Sequence, residues 1–169
     1  RFSSRGVLVL AEVDIGDTED LSEGAKSITW EDHFSTRDSF AVDCIVSASG
    51  PVTNSMFGAL RVKDAIADRF RESQGARPSV QVQRPSVRVY LQVHGDRALI
   101  GIDLSGEGLH RRGYRAASGP APLKENLAAA IIALSGWDGA TPVLDPMCGS
   151  ATLLIEAALM RADSAPGLG

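Results

Sequence analysis

An apolar segment, a loop of small residues and an apolar helix follow one another near the end of this chain of 169 residues. Residues 142–145 are predicted to form a short buried strand that ends in the carboxylate of Asp145, and residues 152–161 are predicted to be helical. Gly149, in the loop between them, has no Cβ and lets a ligand approach the backbone. In open α/β folds such a loop lies at the carboxyl end of a parallel sheet, where ligands bind. We therefore expect the start of a parallel α/β unit with a ligand-binding loop.

Another helix is predicted just before this strand. Residues 122–134 are largely apolar, begin with Pro122, a favoured first helical residue, and stop at Ser135 and Gly136. Helix, strand, loop and helix in this order form the first α-β-α unit of a parallel α/β domain. The loop lacks the Gly-x-Gly-x-x-Gly pattern of dinucleotide-binding enzymes, which makes a dehydrogenase a weak alternative.

The first part of the chain predicts a different architecture. Residues 87–94 alternate between apolar and polar side chains, and a Gly-Asp turn joins them to residues 98–104, which indicates a β-hairpin. Further strands are predicted at 6–13 and 39–46, and helices at 17–26 and 53–72. This order favours an α+β fold around one mixed sheet. Six residues recur at nearly helical spacing along the longer helix, and the apolar stripe that they mark is expected to face the core: Phe57, Leu60, Ala65, Ile66, Arg69 and Phe70.

A linker is predicted between the two parts. Residues 106–121 are rich in glycine, proline and arginine and show little periodicity, which is typical of a connecting segment. We therefore divide the chain into an N-terminal region of residues 1–105, a linker of residues 106–121 and a C-terminal region of residues 122–169. The boundary is expected near Gly119.

Charge is distributed unevenly along the chain. Residues 1–50 contain ten acidic and four basic residues, whereas residues 61–97 contain eight basic and four acidic residues. Phosphate groups respond to the local potential within a Debye length of roughly 8–10 Å, so an acidic protein with one basic stretch can bind nucleic acid. A solvated helix face with mixed charges is the alternative.

Six basic residues are candidates for contact with RNA: Arg61, Lys63, Arg88, Arg111, Arg112 and Arg115. The stretch from Arg61 to Arg115 is expected to form a nearly continuous basic surface. The last three arginines are spaced for a loop that grips phosphate through forked guanidinium donors. An equally open alternative is an anchoring role, in which one or two of them pair with Asp or Glu across the domain boundary.

Membrane and metal-binding classes are disfavoured. No apolar run approaches the roughly 20 residues that span a bilayer, so we expect a cytoplasmic protein. Cys44 and Cys148 are far apart, and no Cys/His spacing fits a metal site, so we expect none. Cys148 has no candidate His base nearby in sequence, and we interpret it as a small loop residue rather than a nucleophile.

The loop carries a specific resemblance. Asp145-Pro-Met-Cys-Gly-Ser-Ala-Thr152 resembles the first cofactor motif, Asp-Pro-Met-Cys-Gly-Ser-Gly-Thr, of RNA methyltransferases that modify exocyclic base nitrogens. Residues 121–130 and 135–138 look like the helix before that motif, residues 109–115 like the family's linker motif, and residues 57–66 like a helix of its RNA-binding THUMP domain. The chain is most similar to the bacterial 23S rRNA guanine-N2 methyltransferases with an N-terminal THUMP domain.

This resemblance implies an α+β, ferredoxin-like THUMP region followed by the first α-β-α unit of a Rossmann-like α/β methyltransferase domain. Ala151 stands where the family has its second glycine and adds a methyl group near the cofactor's amino-acid part. The later Asn-Pro-Pro-Tyr/Phe motif, which would hold the target amine, does not occur in this sequence, so no catalytic residue is assigned. The implied cofactor is S-adenosylmethionine, and the residues implied to bind it are Asp145, Pro146, Cys148, Gly149, Ser150, Ala151 and Thr152.

The implied reaction is methylation of the N2 amine of a guanine in 23S rRNA, with RNA as the partner and the target base leaving its stack. We expect the sequence to be a piece of a longer protein that is truncated at both ends and inactive alone. The alternative function is a stand-alone RNA-binding module with a vestigial or truncated methyltransferase segment.

Overall fold

The computed structural model of the chain describes residues 2–106, 108–115 and 122–165. The chain divides into two compact units, of which the first is Val7–Gly106 and the second combines Arg1–Gly6 with Glu107–Gly169. Each unit has its own helices and its own buried residues. The boundary predicted near Gly119 lies outside the described residues.

The first unit is an α+β module around one mixed sheet, as predicted, and this sheet has a fifth, two-residue strand that was not predicted. In chain order its elements are β1 (Val7–Asp14), α1 (Thr18–Ser27), a 3₁₀ turn (Trp30–Asp32), β2 (Ser39–Ser47), α2 (Ser55–Gln74), β3 (Ser79–Val80), β4 (Val87–His94) and β5 (Arg97–Asp103). The strand order is β1-β5-β4-β2-β3. β5 is antiparallel to both of its neighbours, whereas β2 is parallel to β4 and to β3.

The β4–β5 hairpin forms as its alternating sequence predicts. Val89, Leu91 and Val93 are fully buried, and the side chains between them are partly or largely exposed. Gly95 adopts a φ of +61°, which permits the tight turn between the two strands. The hairpin thereby supplies the apolar sheet face on which the core of the unit is built.

The ends of α1 and α2 are set by their capping residues. The Asp17 carboxylate and the Asn54 side chain each accept hydrogen bonds from two backbone N–H groups in the first turn of their helix. α2 ends at Gly75, which has a φ of +70° and allows the left-handed turn that closes the helix. The two helices pack on each other and on the sheet, which encloses the core.

An aromatic cluster fills the core between α2 and the start of β2. The ring centroid of Phe34 lies 5.8 Å from that of Phe40 and 5.1 Å from that of Phe70. Trp30 is fully buried, and its indole N–H donates to the carbonyl of Ala25 at 2.8 Å. The 3₁₀ turn that carries Trp30 was not predicted, because three residues are too few to show a periodicity.

The apolar stripe predicted for α2 is only partly buried. Its C-terminal half faces the core, but Phe57 and Leu60 are 43% and 46% exposed. Gly58 and Val62 occupy the buried side of these turns instead. The prediction was wrong at Phe57 and Leu60. It placed these large side chains on the buried side of the helix, where the smaller Gly58 and Val62 allow close packing.

The second unit contains two helices that pack on each other, α3 (Glu125–Leu134) and α4 (Thr152–Arg161). The prediction for α4 is confirmed. α3 begins later than predicted, because Lys124 is its N-cap and Pro122 lies outside the helix. The buried hydrophobic side chains of α3 are Ala128, Ala129 and Ile132, and that of α4 is Ala157.

The strand predicted at residues 142–145 does not form. The backbone is irregular there, and Val143 and Leu144 are 37% and 88% exposed. A strand of a parallel sheet is stabilised by neighbouring strands and by helices on both faces. The described residues of this unit contain no strand to pair with it, which explains the exposure of Leu144.

Three findings concern membrane spans, thiols and metal ligands. In the described ranges no helix combines the length and apolar character needed to cross a bilayer. Cys44 and Cys148 are both free thiols, and burial raises the pKa of Cys44 to about 11 whereas Cys148 is exposed. Of the residues that the structure describes, no three His, Cys, Asp or Glu side chains form a metal-binding group.

Candidate functional site

The 145–152 loop leads into the first turn of α4 and is folded by its own hydrogen bonds. Asp145 Oδ1 accepts the backbone N–H of Met147 at 3.1 Å. The carbonyl of Cys148 accepts the N–H of Ala151 at 2.7 Å. These two hydrogen bonds form two consecutive turns. The middle of the loop is exposed at the surface.

The middle of this loop presents open backbone N–H groups. Those of Cys148, Gly149 and Ser150 have no hydrogen-bond acceptor among the described residues, and no side chain caps α4. Gly149 has a φ of +52°, and apart from Gly149 and its two chain neighbours no described residue has an atom within 4 Å of the position that a Cβ would take. Open N–H groups beside a helix N-terminus attract anions. The loop can therefore receive a carboxylate or phosphate group.

Ala151 is the N-cap of α4 and adopts a left-handed conformation, with φ +58° and ψ +25°. This conformation costs an L-residue about 1–2 kcal/mol, whereas glycine adopts it without that steric cost. The backbone thus explains why glycine suits this position in the resembling motif. In this chain alanine makes the same turn at a cost in stability.

Arg112 and Arg115 are anchored inside the second unit. The Arg112 side chain is 2% exposed and its Nε lies 3.0 Å from Glu156 Oε1, while the Arg115 Nε lies 3.0 Å from Glu125 Oε1. Neither Nε–H group is oriented to form a hydrogen bond, so both contacts are ion pairs without a hydrogen bond from Nε. Burial argues against the predicted contact of Arg112 and Arg115 with RNA and supports the anchoring alternative.

Glu156 is fully buried on α4 and is the centre of this anchoring. The hydroxyl of Tyr114 donates to Glu156 Oε1 at 3.1 Å. Burial, together with the nearby Glu156 carboxylate, raises the pKa of Tyr114 to about 12, so Tyr114 remains a neutral donor at physiological pH. Sequence reasoning missed Glu125 and Glu156. The available signal was a single acidic residue inside the otherwise apolar α4.

Most basic residues of the first unit are paired with acidic residues. The three that were predicted to bind RNA pair as Arg61 with Glu19, Lys63 with Asp64, and Arg88 with Asp43. The same holds for Lys26, Arg69, Arg71 and Arg97. Pairing cancels much of the local field, which argues against the nearly continuous basic surface predicted from Arg61 to Arg115.

Three arginines of the first unit are exposed and have no partner among the described residues: Arg37, Arg77 and Arg84. Each lies two or three residues before the start of a strand, of β2, β3 and β4 respectively. These strands are parallel neighbours about 4.8 Å apart, so their starts lie at the same end of the sheet. We call these three residues the arginine end. Asp38, beside Arg37, is hydrogen-bonded to Ser35, which lowers the pKa of Asp38.

An open cleft of about 450 Å³ lies in the second unit beside the start of α3. His110, Arg111 and Lys124 contribute to its lining, together with Arg115. Arg111 is exposed, unlike its neighbour Arg112. Among the three arginines of residues 111–115, Arg111 is therefore the one whose position suits contact with an external anion.

The fold of the first unit and the loop of the second define a class of protein, in which an α+β module precedes the opening of a methyltransferase domain. Residues 16–103 match the THUMP domain family. Residues 112–169 match the RMKL-like methyltransferase domain. The chain belongs to the THUMP-domain methyltransferases with an RMKL-like catalytic domain, as its resemblance predicted.

Curated relatives carry the name ribosomal RNA large subunit methyltransferase K/L. The protein from Desulfotalea psychrophila is 50% identical over 172 residues, and that from Aliivibrio fischeri strain ES114 is 48% identical over 168 residues. Each comparison covers 99% of this chain and 24% of the relative. The chain therefore spans about a quarter of the length of these relatives.

Solved structures of similar fold include three proteins at 31–33% sequence identity. A predicted N6-adenine-specific DNA methylase from Listeria monocytogenes has a TM-score of 0.84 and covers 99% of this chain and 44% of its own. SMU.472, solved in complex with SAH, has a TM-score of 0.84, and the comparison covers 96% of this chain and 43% of that protein. TrmN from Thermus thermophilus has a TM-score of 0.67, and the comparison covers 95% of this chain and 46% of that protein.

Proposed function

We propose that the full-length protein uses S-adenosylmethionine to methylate the N2 amine of a guanine in large-subunit (23S) rRNA, with the THUMP unit binding the RNA. The 145–152 loop carries this proposal, because its open N–H groups occur within the residues that resemble the family's cofactor motif. The names of the K/L relatives support rRNA as the substrate, and the SAH complex of SMU.472 supports the cofactor.

The residues of the loop fit the amino-acid part of this cofactor. The open N–H groups of Cys148, Gly149 and Ser150 suit its carboxylate, and the carboxylate of Asp145 suits its ammonium group. The cofactor supplies the electrophilic methyl group. The chain contributes binding and orientation, which bring the reacting groups together. Ala151 and Thr152 form the turn into α4, and the ring of Pro146 restricts the backbone after Asp145.

Alkylation of Cys148 provides a test of this proposal that does not depend on activity. Cys148 is exposed within the loop, so bound SAH is expected to cover it and slow its reaction with N-ethylmaleimide by roughly 100-fold at 100 times the Kd. Cys44 is the internal control, because its pKa of about 11 leaves only about one thousandth of it as thiolate at pH 8. The modified peptides of the full-length protein are quantified by mass spectrometry.

Faster alkylation of Cys44 in the presence of SAH would indicate a global change rather than binding at the loop. Unchanged alkylation of Cys148 at saturating SAH would contradict the cofactor assignment. If RNA binding persisted in that case, the stand-alone RNA-binding module with a vestigial methyltransferase segment would replace the enzyme as the best function.

We further propose that the arginine end contacts RNA phosphates and, as a separate contact argued only from its exposure, that Arg111 of the second unit does so as well. Surface ion pairs are individually weak, but each paired arginine must still give up a partner before it binds phosphate. Arg37, Arg77 and Arg84 have no such partner among the described residues. Forked guanidinium donors match phosphate oxygens well.

Reversing the arginine end to Arg37→Glu, Arg77→Glu and Arg84→Glu is expected to weaken rRNA binding. The slope of log K against log salt should fall by about one for each arginine that no longer binds a phosphate group. Affinity is measured from 50 to 300 mM salt with an unmodified rRNA fragment. The control reverses three paired residues of the same unit, Arg61, Lys63 and Arg97. A loss of affinity confined to that control would place the RNA elsewhere on the THUMP unit.

Product analysis decides the target atom. The Listeria protein is described as a predicted N6-adenine-specific DNA methylase, which gives a second candidate reaction for the same loop. Digestion of rRNA methylated with a labelled donor is expected to yield N2-methylguanosine. N6-methyladenosine as the sole labelled nucleoside would favour the adenine alternative.

A further inference from the structure

Arg115 links the segment before α3 to the 145–152 loop. Its Nη2 donates to Thr152 Oγ1 at 3.1 Å and to the carbonyl of Leu123. Its Nε pairs with Glu125, the first residue of α3. Because the Arg115 side chain is only 14% exposed, its guanidinium is held between the starts of the two helices.

The hydrogen bond from Arg115 sets the direction of a chain of hydroxyl groups. A guanidinium donates and cannot accept, so Thr152 Oγ1 accepts from Arg115. The buried Thr152 hydroxyl then needs an acceptor for its own proton, and Ser150 Oγ lies 3.1 Å away. With Thr152 as donor, the Ser150 hydroxyl proton is left to point outward. Ser150 is exposed in the middle of the loop.

We propose that Arg115 is a positioning residue that acts through Thr152 to aim the Ser150 hydroxyl at the carboxylate of the bound methyl donor. The inference rests on the proposed use of S-adenosylmethionine and adds a fourth donor to the three open N–H groups of the loop. Arg115 itself touches Thr152 rather than the ligand. Its effect is therefore specific to ligands that carry the amino-acid carboxylate.

The test compares two ligands by isothermal titration with the full-length protein. Arg115→Met is expected to weaken SAH binding about tenfold (~1.4 kcal/mol), because a hydrogen bond to a charged group is removed. Thr152→Val and Ser150→Ala should each have a similar effect, and Thr152→Ser should bind as the wild type does. Methylthioadenosine lacks the amino-acid part, so all variants should bind it with unchanged affinity.

The double variant Arg115→Met/Thr152→Val separates positioning from general damage. If both residues act through one hydroxyl chain, the double variant should bind SAH no more weakly than either single variant. Arg161→Met, at the exposed end of α4, is the matched control and should bind both ligands normally.

The outcomes distinguish this inference from the proposed function. A wild-type protein that fails to bind SAH contradicts the cofactor assignment. Wild-type binding of SAH with equal losses for SAH and methylthioadenosine, or with additive losses in the double variant, overturns the positioning role alone. If Arg115→Met does not fold, the comparison of Thr152→Val, Thr152→Ser and Ser150→Ala decides by the same criteria.

Discussion

Replacing Glu156 by Gln is expected to destabilise the second unit by about 3–5 kcal/mol, because the substitution removes the carboxylate charge that faces the buried guanidinium of Arg112. The two side chains are 0% and 2% exposed, so solvent cannot replace the missing interaction. Glutamine keeps the shape of the side chain and can still accept from Tyr114. The destabilisation therefore reports the charge rather than a cavity.

Hydrogen exchange measured by mass spectrometry checks this expectation in the full-length protein. Amides of α3 and α4 should lose about 10²–10³-fold of their protection, since each 1.4 kcal/mol corresponds to a factor of ten. Amides of α2 and β4 belong to the other unit and serve as the internal control. Unchanged protection in α3 and α4 would show that Glu156 is dispensable for the helix pair.

A second variant separates the effect of charge pairing from the cost of burying the two charged groups. Replacing Arg112 and Glu156 together by Met removes both charges and leaves apolar side chains of similar length. Such exchanges of a buried pair are often neutral or stabilising. The double variant is therefore expected to recover most of the protection that Glu156→Gln removes. Failure to recover would show that Tyr114 or the packing, rather than charge pairing, holds α4 in place.

The parts of the fold that depend on local sequence could be predicted. The alternation around Val89 and Leu91 and the glycine at Gly95 specify the hairpin, and Gly75 specifies the end of α2. The motif beginning at Asp145 could be recognised in the sequence because its residues are contiguous. Local patterns of this kind do not require knowledge of which elements become neighbours.

The partners of charged side chains could not be predicted. Arg112 and Arg111 are adjacent in sequence and chemically identical, yet Arg112 is buried against Glu156 and Arg111 is exposed. The difference arises because α4 presents a buried carboxylate to only one of them. Likewise, the arginine end depends on the parallel order of β2, β3 and β4, which charge counts along the chain do not contain.

The failed prediction of a strand at residues 142–145 has a related cause and bears on activity. A short apolar run indicates a buried strand only if neighbouring strands are present to cover it. Leu144 and Met147 are 88% and 90% exposed on the segment that enters the loop. The chain spans 24% of the length of its Desulfotalea psychrophila relative. The other residues of such a relative are the natural source of neighbouring strands.

We therefore expect the 169-residue chain alone to transfer methyl groups to rRNA at least roughly 10³-fold more slowly than a protein of the relatives' length. The described part of the chain supplies one loop of the proposed cofactor site, and the sequence has no Asn-Pro-Pro motif to hold the target amine. Alignment of donor and amine supplies much of the rate in such a reaction, and one loop cannot provide it.

A chimera tests this expectation and the loop assignment together. The corresponding quarter of the Desulfotalea psychrophila relative is replaced by this chain, which is 50% identical to it. The chimera is expected to regain transfer from a labelled methyl donor to unmodified rRNA, because the remaining sequence supplies the missing strands and the amine-binding motif. Introducing Asp145→Ala into the chimera should abolish transfer again, since it removes the carboxylate that suits the donor's ammonium group. Transfer by the isolated chain at a rate comparable to the chimera, or an active Asp145→Ala chimera, would show that the 145–152 loop is not the methyl-donor site.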